Sequence, residues 1–126
     1  MKTNITILNT IYKYADRRYM CIIKYKIKPI IFNNVDITNK IFDKKEYHAV
    51  GIARCHHRDI FDKTVGKRIA ESRAKKALFK FLFNTYRNYY VKIKSELKCI
   101  NELYSKCYYL ADQETKHINK LIDDTK

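Results

Sequence analysis

The segment DKTVGKRIAESRAKKALFKFLFNTYRNYY, residues 62–90, predicts a helix with apolar and strongly basic faces, around which the rest of the fold can be placed. Residues 62–122 contain no Pro, and their only Gly is Gly66. With so few residues that interrupt helices, we expect a long helix that begins near Asp62. Asp59 or Asp62 is a natural N-cap, since a short carboxylate accepts hydrogen bonds from the free N–H groups of a first turn.

Apolar side chains recur along this helix at alternating steps of three and four residues, with Ser72, Lys76 and Glu114 as exceptions. Such a heptad-like pattern predicts one buried seam. The seam consists of Val65, Ile69, Phe79, Phe83, Tyr86, Tyr90, Ile93, Leu97, Ile100, Tyr104, Cys107, Ala111, Ile118 and Leu121. An unbroken helix would be about 90 Å long. We therefore expect a break near residues 84–88 or 112–115, or packing against a second copy, and a long helix and a helical hairpin both remain open.

Two strands are predicted ahead of the helix. Residues 19–27 alternate apolar and basic side chains in their second half, as a strand with one buried and one wet face does. Residues 47–55 form the second strand, in which Gly51 marks a close approach of a neighbour or a bulge. Between them, Pro29 interrupts the first strand, which residues 30–32 could continue.

The remaining segments give weaker signals. Asn33 and Asn34 indicate a turn, and residues 35–45 are polar and expected to be irregular. Residues 5–14 fit a helix by the spacing of their apolar side chains and a strand by partial alternation; we favour a short helix that ends near Asp16. The predicted fold class is α+β, a small antiparallel sheet packed on a helix, with residues 1–83 as a basic domain and residues 84–126 as a helical extension suited to dimerisation.

The chain carries 27 Lys and Arg against 13 Asp and Glu, a net charge of +14. Such a surplus usually meets a polyanion. Residues 63–98 hold eleven of the cations and only Glu71 and Glu96 as acids, so the positive field is clustered. The candidate nucleic-acid contacts are Lys67, Arg68, Arg73, Lys75, Lys76, Lys80 and Arg87. Most of them line the faces beside a predicted packing surface of the same helix, which consists of Ile69, Ala70, Ala74, Ala77 and Leu78.

Tyrosines follow the basic cluster. Tyr86, Tyr89 and Tyr90 surround Arg87, and aromatic rings interleaved with Arg can stack on unpaired bases. Tyr86 and Tyr90 are also seam positions, so we favour burial for them over base stacking.

Other chemistry is poorly supported. Cys55, His56 and His57 are metal-ligand types, but neighbours on an extended backbone point to opposite sides, and the paired spacings of zinc sites are missing. The acids that a nuclease would need are explained equally well as caps and surface residues; they are Asp43, Glu46, Asp59, Asp62 and Glu71. No glycine-rich phosphate loop is present. We expect no catalysis, no metal and no cofactor.

The four cysteines, Cys21, Cys55, Cys99 and Cys107, lack any C-x-x-C spacing, and no export signal is apparent. Free, buried thiols are therefore expected. No apolar run reaches the roughly 18 residues of a membrane span. These features predict a cytoplasmic protein with no membrane contact.

Residues 51–74 resemble a block found in small bacteriophage and mobile-element proteins of low-GC bacteria. Gly51, Ala53, Cys55 and His56 match its Gly-x-Ala-x-Cys-His strand, residues 59–62 its Asp-x-Phe-Asp turn, and residues 66–74 its Gly-Lys-x-x-Ala-x-x-Arg-Ala helix. The resemblance implies a phage origin, and the cytoplasm of an infected or host bacterial cell as the place of action.

The order of elements also resembles a double-stranded RNA-binding domain. Leu8 and Asn9 stand where that family's first helix begins, and Lys67 and Arg68 match the basic start of its second helix, whose cations straddle phosphates. Glu71 stands where that family often has another Lys. The Gly-Pro-x-His loop of the family is absent here, so only the contacts of Lys67 and Arg68 are carried over.

Two functions follow as hypotheses. The first is an accessory protein that contacts the phosphate backbone of duplex RNA or DNA through its basic helix. The alternative is an anti-CRISPR-type inhibitor of a host defence nucleoprotein complex, which acts by protein contact or by blocking the nucleic-acid site. In either case the helical seam could serve a homodimer.

Overall fold

The computed structural model describes residues 4–54 and 63–125. A three-stranded antiparallel sheet is formed by β1 (Ile5–Ala15), β2 (Arg18–Ile27) and β5 (Glu46–Arg54), in the order β1-β2-β5. A small hairpin of β3 (Ile31–Phe32) and β4 (Val35–Asp36) and the short helix α1 (Thr38–Ile41) connect β2 to β5. The helix α2 (Lys63–Asp124) follows.

The predicted α+β class is confirmed, since the sheet packs against α2. The core is formed by residues of β2, β5 and α2, together with Phe42, which follows α1. It consists of Cys21, Ile23, Tyr25, Ile27, Phe42, Ala49, Ala53, Ala70, Ala74, Leu78 and Leu82. Burial raises the pKa of Tyr25 to about 12, so its hydroxyl stays protonated in the core.

The expected helix near residues 5–14 is wrong, because this segment is strand β1. The pairing of β1 with β2 shifts register between Ile7 and Asn9. The side chains on either side of the shift therefore do not follow one continuous two-residue alternation along the sequence. Two-residue turns then close the hairpins. Asp16 and Arg17, and likewise Asn33 and Asn34, have positive φ angles of 50 to 62°, as type I′ turns require.

Strand β5 and α2 approach each other closely at Gly51, the one glycine of the strand. A Cβ at Gly51 would stand 2.1 Å from the carbonyl oxygen of Ala70 and 2.3 Å from the backbone nitrogen of Ala74. The predicted close approach is therefore confirmed. The pairing of β5 with β2 runs through Gly51 without a shift, so the alternative of a bulge is wrong.

Helix α2 presents to the sheet a face that differs from the predicted seam. The predicted packing surface is confirmed at Ala70, Ala74 and Leu78, whereas Ile69 and Ala77 are exposed. The buried residues of α2 recur every four positions: Gly66, Ala70, Ala74, Leu78 and Leu82. The seam residues Val65, Ile69, Phe79 and Phe83 are exposed instead. A seven-residue repeat follows a nearly straight line along a helix, whereas a four-residue repeat drifts around it, as expected for a helix that crosses a sheet at an angle.

The chain divides into two compact units, Met1–Arg87 and Asn88–Lys126. The second unit is helical through Asp124, and every described side chain in it except Tyr89 is exposed. Neither of the expected breaks, near residues 84–88 and 112–115, occurs, and the hairpin is therefore wrong. Cys99 and Cys107 are exposed, against the expectation of buried thiols, while Cys21 is buried; all three are free.

The connection between β2 and β5 is more regular than expected, and Thr38 organises it. This residue is buried, its hydroxyl accepts a hydrogen bond from the Ile30 N–H at 2.7 Å, and its N–H donates to Asp36 Oδ1 at 2.9 Å. The hydrogen bond from the Thr38 side chain is the main reason that the pKa of Asp36 lies below its usual value.

Replacing Thr38 by Val should lower the free energy of unfolding by about 1–3 kcal/mol, because the half-buried Ile30 N–H loses its acceptor. Chemical denaturation measures this loss. The pKa of Asp36, followed by NMR, should rise toward the ordinary carboxyl value at the same time. Thr38→Ser retains the hydroxyl and serves as the control; equal losses from both variants would contradict the role of that hydrogen bond.

Candidate nucleic-acid interface

The seven predicted contact residues all lie on α2 within the unit Met1–Arg87, and all are exposed. Their positions follow from the packing of the helix. The small side chains of Ala70 and Ala74 bring its backbone close to β5, so the long cationic side chains on either side of this contact extend past the sheet into solvent.

Two of the cations flank the helix on opposite sides. Lys67 Nζ lies 4.3 Å from the ring centre of Tyr12 on β1, a cation–π contact. Arg73 Nη1 donates a 2.6 Å hydrogen bond to the carbonyl oxygen of Ile52 on β5. Because β1 and β5 are the two edges of the sheet, Lys67 and Arg73 do not share a face.

Lys75 is partly neutralised within the chain. Its Nζ lies 3.4 Å from a carboxylate oxygen of Glu71, one helical turn earlier. The Lys75 side chain is exposed and that of Glu71 is partly exposed, so the pair contributes little to stability and a polyanion could compete for the ammonium group. Glu71 also reaches Tyr12, whose pKa is raised first by burial and then by this carboxylate. Lys67 and Lys75 therefore border the side of the helix where the acid lies.

Arg73 shares one surface with two further cations. Arg68, Arg73 and Lys76 line a shallow depression of about 410 Å³ together with Val65, Ile69 and Ser72. Among the described residues, Arg68 and Lys76 have neither an acidic partner nor an intramolecular hydrogen bond. Two guanidinium groups, an ammonium group and a hydroxyl around one depression form a donor set that suits phosphate oxygens.

The basic surface continues along the helix. Lys76, Lys80 and Arg87 follow Arg73 at steps of three, four and seven residues, which places the four on one side of α2. The Arg87 guanidinium lies over the ring of Phe83 at 5.5 Å and is held there by a cation–π contact. We define Arg68, Arg73, Lys76, Lys80 and Arg87 as the basic strip.

The tyrosines near Arg87 have separate roles. Tyr86 is half-buried, packs edge-on against Phe42, and donates a short hydrogen bond to Asn4 Oδ1 at the start of β1. Tyr90 is 63% exposed, so the expectation of burial is wrong for this residue. Tyr86 therefore serves the fold, because its ring and its hydroxyl are both engaged in packing.

The open face of the sheet carries a second group of cations that the sequence prediction did not include. The strand alternation and register place Lys13, Arg18, Lys24, Lys26 and Arg54 on the face away from α2. Arg18 and Arg54 stand directly opposite each other across β2 and β5, which is unfavourable without a counter-charge. The alternating Lys-Tyr-Lys pattern of residues 24–26 was the available signal.

The described residues form no metal site, and the buried Cys21 thiol is poorly suited to reaction. Residues 4–54 and 63–125 contain no cluster of three or more His, Cys, Asp or Glu side chains that could hold a metal ion. Cys55, His56 and His57, and the proposed caps Asp59 and Asp62, lie outside the described residues. Burial is the main cause that raises the pKa of the Cys21 thiol, which disfavours the reactive thiolate.

No helix within the described part of the chain has the length and apolar character needed to cross a bilayer. No protein-family model, curated protein or solved structure matches the chain. The resemblances to the phage block and to double-stranded RNA-binding domains therefore stay predictions, although the position assigned to the RNA-binding family's first helix, at Leu8 and Asn9, is occupied here by β1.

Proposed function

We propose that the protein binds the phosphate backbone of duplex nucleic acid, RNA or DNA, through the basic strip of α2 and without reading the base sequence. The observation that carries the proposal is the concentration of charge. Residues 1–87 hold 20 Lys and Arg against 7 Asp and Glu, so they carry +13 of the net +14. The shared depression of Arg68, Arg73 and Lys76 supports the same site.

The physical driving force is the release of counterions. Each cation that replaces a condensed counterion at a phosphate adds to the affinity and to its dependence on salt. Exposed Lys and Arg side chains on a preformed helix pay little reorganisation to make such contacts. Base stacking is less favoured than backbone contact, since Tyr86, the aromatic residue next to Arg87, is engaged in the core.

The biological setting is part of the proposal. The phage-like block favours an accessory protein of a bacteriophage or mobile element, acting in the cytoplasm of an infected or host bacterial cell. The role is binding rather than catalysis. Lys67 and Lys75 contribute to the same positive field, although they border the side of the helix that carries Glu71.

The test is a charge reversal on the strip that leaves Arg73 and its hydrogen bond to Ile52 in place. We expect Arg68→Glu/Lys76→Glu/Lys80→Glu to weaken binding to a short duplex at least about tenfold at 0.1 M salt, because three phosphate contacts are lost. The slope of log K against log salt should become shallower by about 3. Fluorescence anisotropy over a salt series, with RNA and DNA duplexes of one sequence, measures both.

The matched control is Lys98→Glu/Lys106→Glu/Lys120→Glu, which changes the net charge equally within the unit Asn88–Lys126. These three side chains are exposed and lie away from the strip in sequence. The control should retain most of the affinity. If it loses as much as the strip variant, the net charge alone determines binding, and the assignment to the strip is wrong.

A protein partner is the second candidate, and one observation favours it. The apolar side chains of Val65, Ile69 and Phe79 are exposed beside the cations of the strip, a mixture that protein interfaces use more than phosphate contacts do. An anti-CRISPR-type inhibitor would use such a surface against a host nucleoprotein. Capture from host lysate with and without nuclease separates the two, since a protein contact survives nuclease treatment and a nucleic-acid tether does not.

A further inference from the structure

The unit Asn88–Lys126 exposes the heptad pattern that the sequence predicted to be buried. Tyr90, Leu97 and Tyr104 are each more than 60% exposed. We call its ten a and d positions the C-terminal seam. They are Tyr90, Ile93, Leu97, Ile100, Tyr104, Cys107, Ala111, Glu114, Ile118 and Leu121. Nine of the ten are apolar, whereas the solvated face of a helix is mostly polar. Exposed apolar rows of this kind mark interaction surfaces.

The charges of this unit fit a partner of the same kind. Residues 88–126 hold 7 Lys and 6 Asp and Glu, so they are almost neutral, whereas residues 1–87 carry +13. A near-neutral apolar seam suits neither a polyanion nor a strongly acidic protein. Leu103 and Leu110 stand beside the seam at g positions and widen it, and both are exposed.

We propose that residues 88–126 pair with the same residues of a second copy in an antiparallel, two-stranded coiled coil. Covering the C-terminal seam and its flanking leucines would remove about 800 Å² per copy from water, the size of a standard stable interface. The proposal rests on the apolar pattern and the charge division of the chain, and it does not depend on nucleic-acid binding.

We infer the antiparallel direction by comparing which seam residues would face each other in a parallel pair and in an antiparallel pair. In a parallel pair each a or d residue meets itself, so the two copies of Glu114 would face each other within the apolar seam. An antiparallel pair centred between Tyr104 and Cys107 sets large against small side chains in its middle, Tyr104 against Cys107 and Ile100 against Ala111. It also places Glu114 opposite Leu97 of the other copy and so separates the two glutamates. Alternation of large and small residues across facing positions fills a helix interface evenly.

Repulsion between the basic units favours the same direction. Each copy carries +13 in the residues that precede the coiled coil. Parallel pairing attaches both of these units to the same end, whereas antiparallel pairing attaches them to opposite ends. The two points of attachment, at residue 88 of each copy, then lie about 50 Å apart along the coiled coil. This distance exceeds the screening length of about 8 Å at physiological salt, so the repulsion becomes small.

The first test is the mass of the full-length protein in solution, measured by light scattering after size exclusion. The native chain should be a dimer, and Ile93→Lys/Ile100→Lys should be a monomer at the same concentration, because two lysines in the seam would be buried in each copy against apolar residues. Val91→Lys/Tyr109→Lys is the matched control, since both residues are exposed and lie off the seam; it should remain a dimer. A monomeric native chain, or a dimeric seam variant, overturns the proposal.

The second test decides the direction. A spin label on Lys120→Cys, with Cys55, Cys99 and Cys107 replaced by Ser, should report a distance between copies of about 40 Å in an antiparallel pair, from the 1.5 Å rise per residue. A parallel pair would bring the labels within about 20 Å, as helices pack 8–10 Å apart. A short distance would overturn the antiparallel arrangement. Circular dichroism confirms that each variant has kept its helix.

Discussion

Gly51→Ala is expected to lower the free energy of unfolding by about 3 kcal/mol or more, one of the largest effects open to a single methyl group in this chain. The added Cβ would meet backbone atoms of α2, with the carbonyl oxygen of Ala70 at 2.1 Å and the nitrogen of Ala74 at 2.3 Å. A flexible side chain could move aside, but a helix backbone moves only as a whole. Strand β5 and α2 would have to separate, and the core around Leu78 would open.

Chemical denaturation and thermal unfolding measure this loss. Val50→Ala is the control, because Val50 precedes Gly51 on the same strand and is exposed. It should cost less than about 1 kcal/mol. A Gly51→Ala variant as stable as the native chain would show that β5 does not approach α2 so closely.

Leu78→Ala should cost about 2–5 kcal/mol, while Phe79→Ala should cost less than about 1 kcal/mol. Leu78 is 1% exposed between the helix and the sheet, whereas Phe79 is 50% exposed. The pair of variants separates two faces of one helix, because the predicted seam passes through Phe79 and the observed packing face through Leu78.

Urea denaturation of both variants gives the comparison directly. The larger ring of Phe79 would lead a sequence-based ranking to place the greater loss there. A greater loss from Phe79→Ala than from Leu78→Ala would mean that α2 packs on the sheet through the predicted seam. Phe79 would then be buried and not exposed.

The error about the buried face has a physical origin. Val65, Ile69, Phe79 and Phe83 are larger and more apolar than Ala70 and Ala74, so a pattern of hydrophobicity ranks them first. Close packing against Gly51 needs small side chains, and the sheet therefore takes the alanines. A helix with two apolar faces can satisfy one within its own domain and leave the other for a partner, which is consistent with the dimer proposed for residues 88–126.

Strand β1 shows a second limit of pattern reading. Its shift near Leu8 disturbs strict alternation, and the resulting spacing of apolar residues resembles a helical one. Pairing with β2 decides the matter, since a segment of ambiguous pattern adopts the structure that its neighbour can bond. The two-residue turn at Asp16 and Arg17 makes that pairing local.

The candidate site was predictable in part. Composition and helix spacing selected seven candidate contact residues, and the structure places all seven on α2 with exposed side chains. The structure shows which of them lie together: Lys67 contacts β1, Lys75 pairs with Glu71, and Arg73 contacts β5. It also reveals the cations on the open face of the sheet, which are distant in sequence and meet only through strand pairing.

Local segments of the sequence predicted the charge distribution, strands β2 and β5 and a helical region without Pro, because each depends on residues near one another in the chain. The same segments left two alternatives open: a bulge or a close approach at Gly51, and a hairpin or a long helix. The folded structure was needed to choose between the two apolar faces of α2, to identify residues 5–14 as a strand, and to show which cations share a surface. These outcomes depend on contacts between segments distant along the chain. The burial of a side chain depends on the segment that packs against it, and the spacing of apolar residues does not identify that segment.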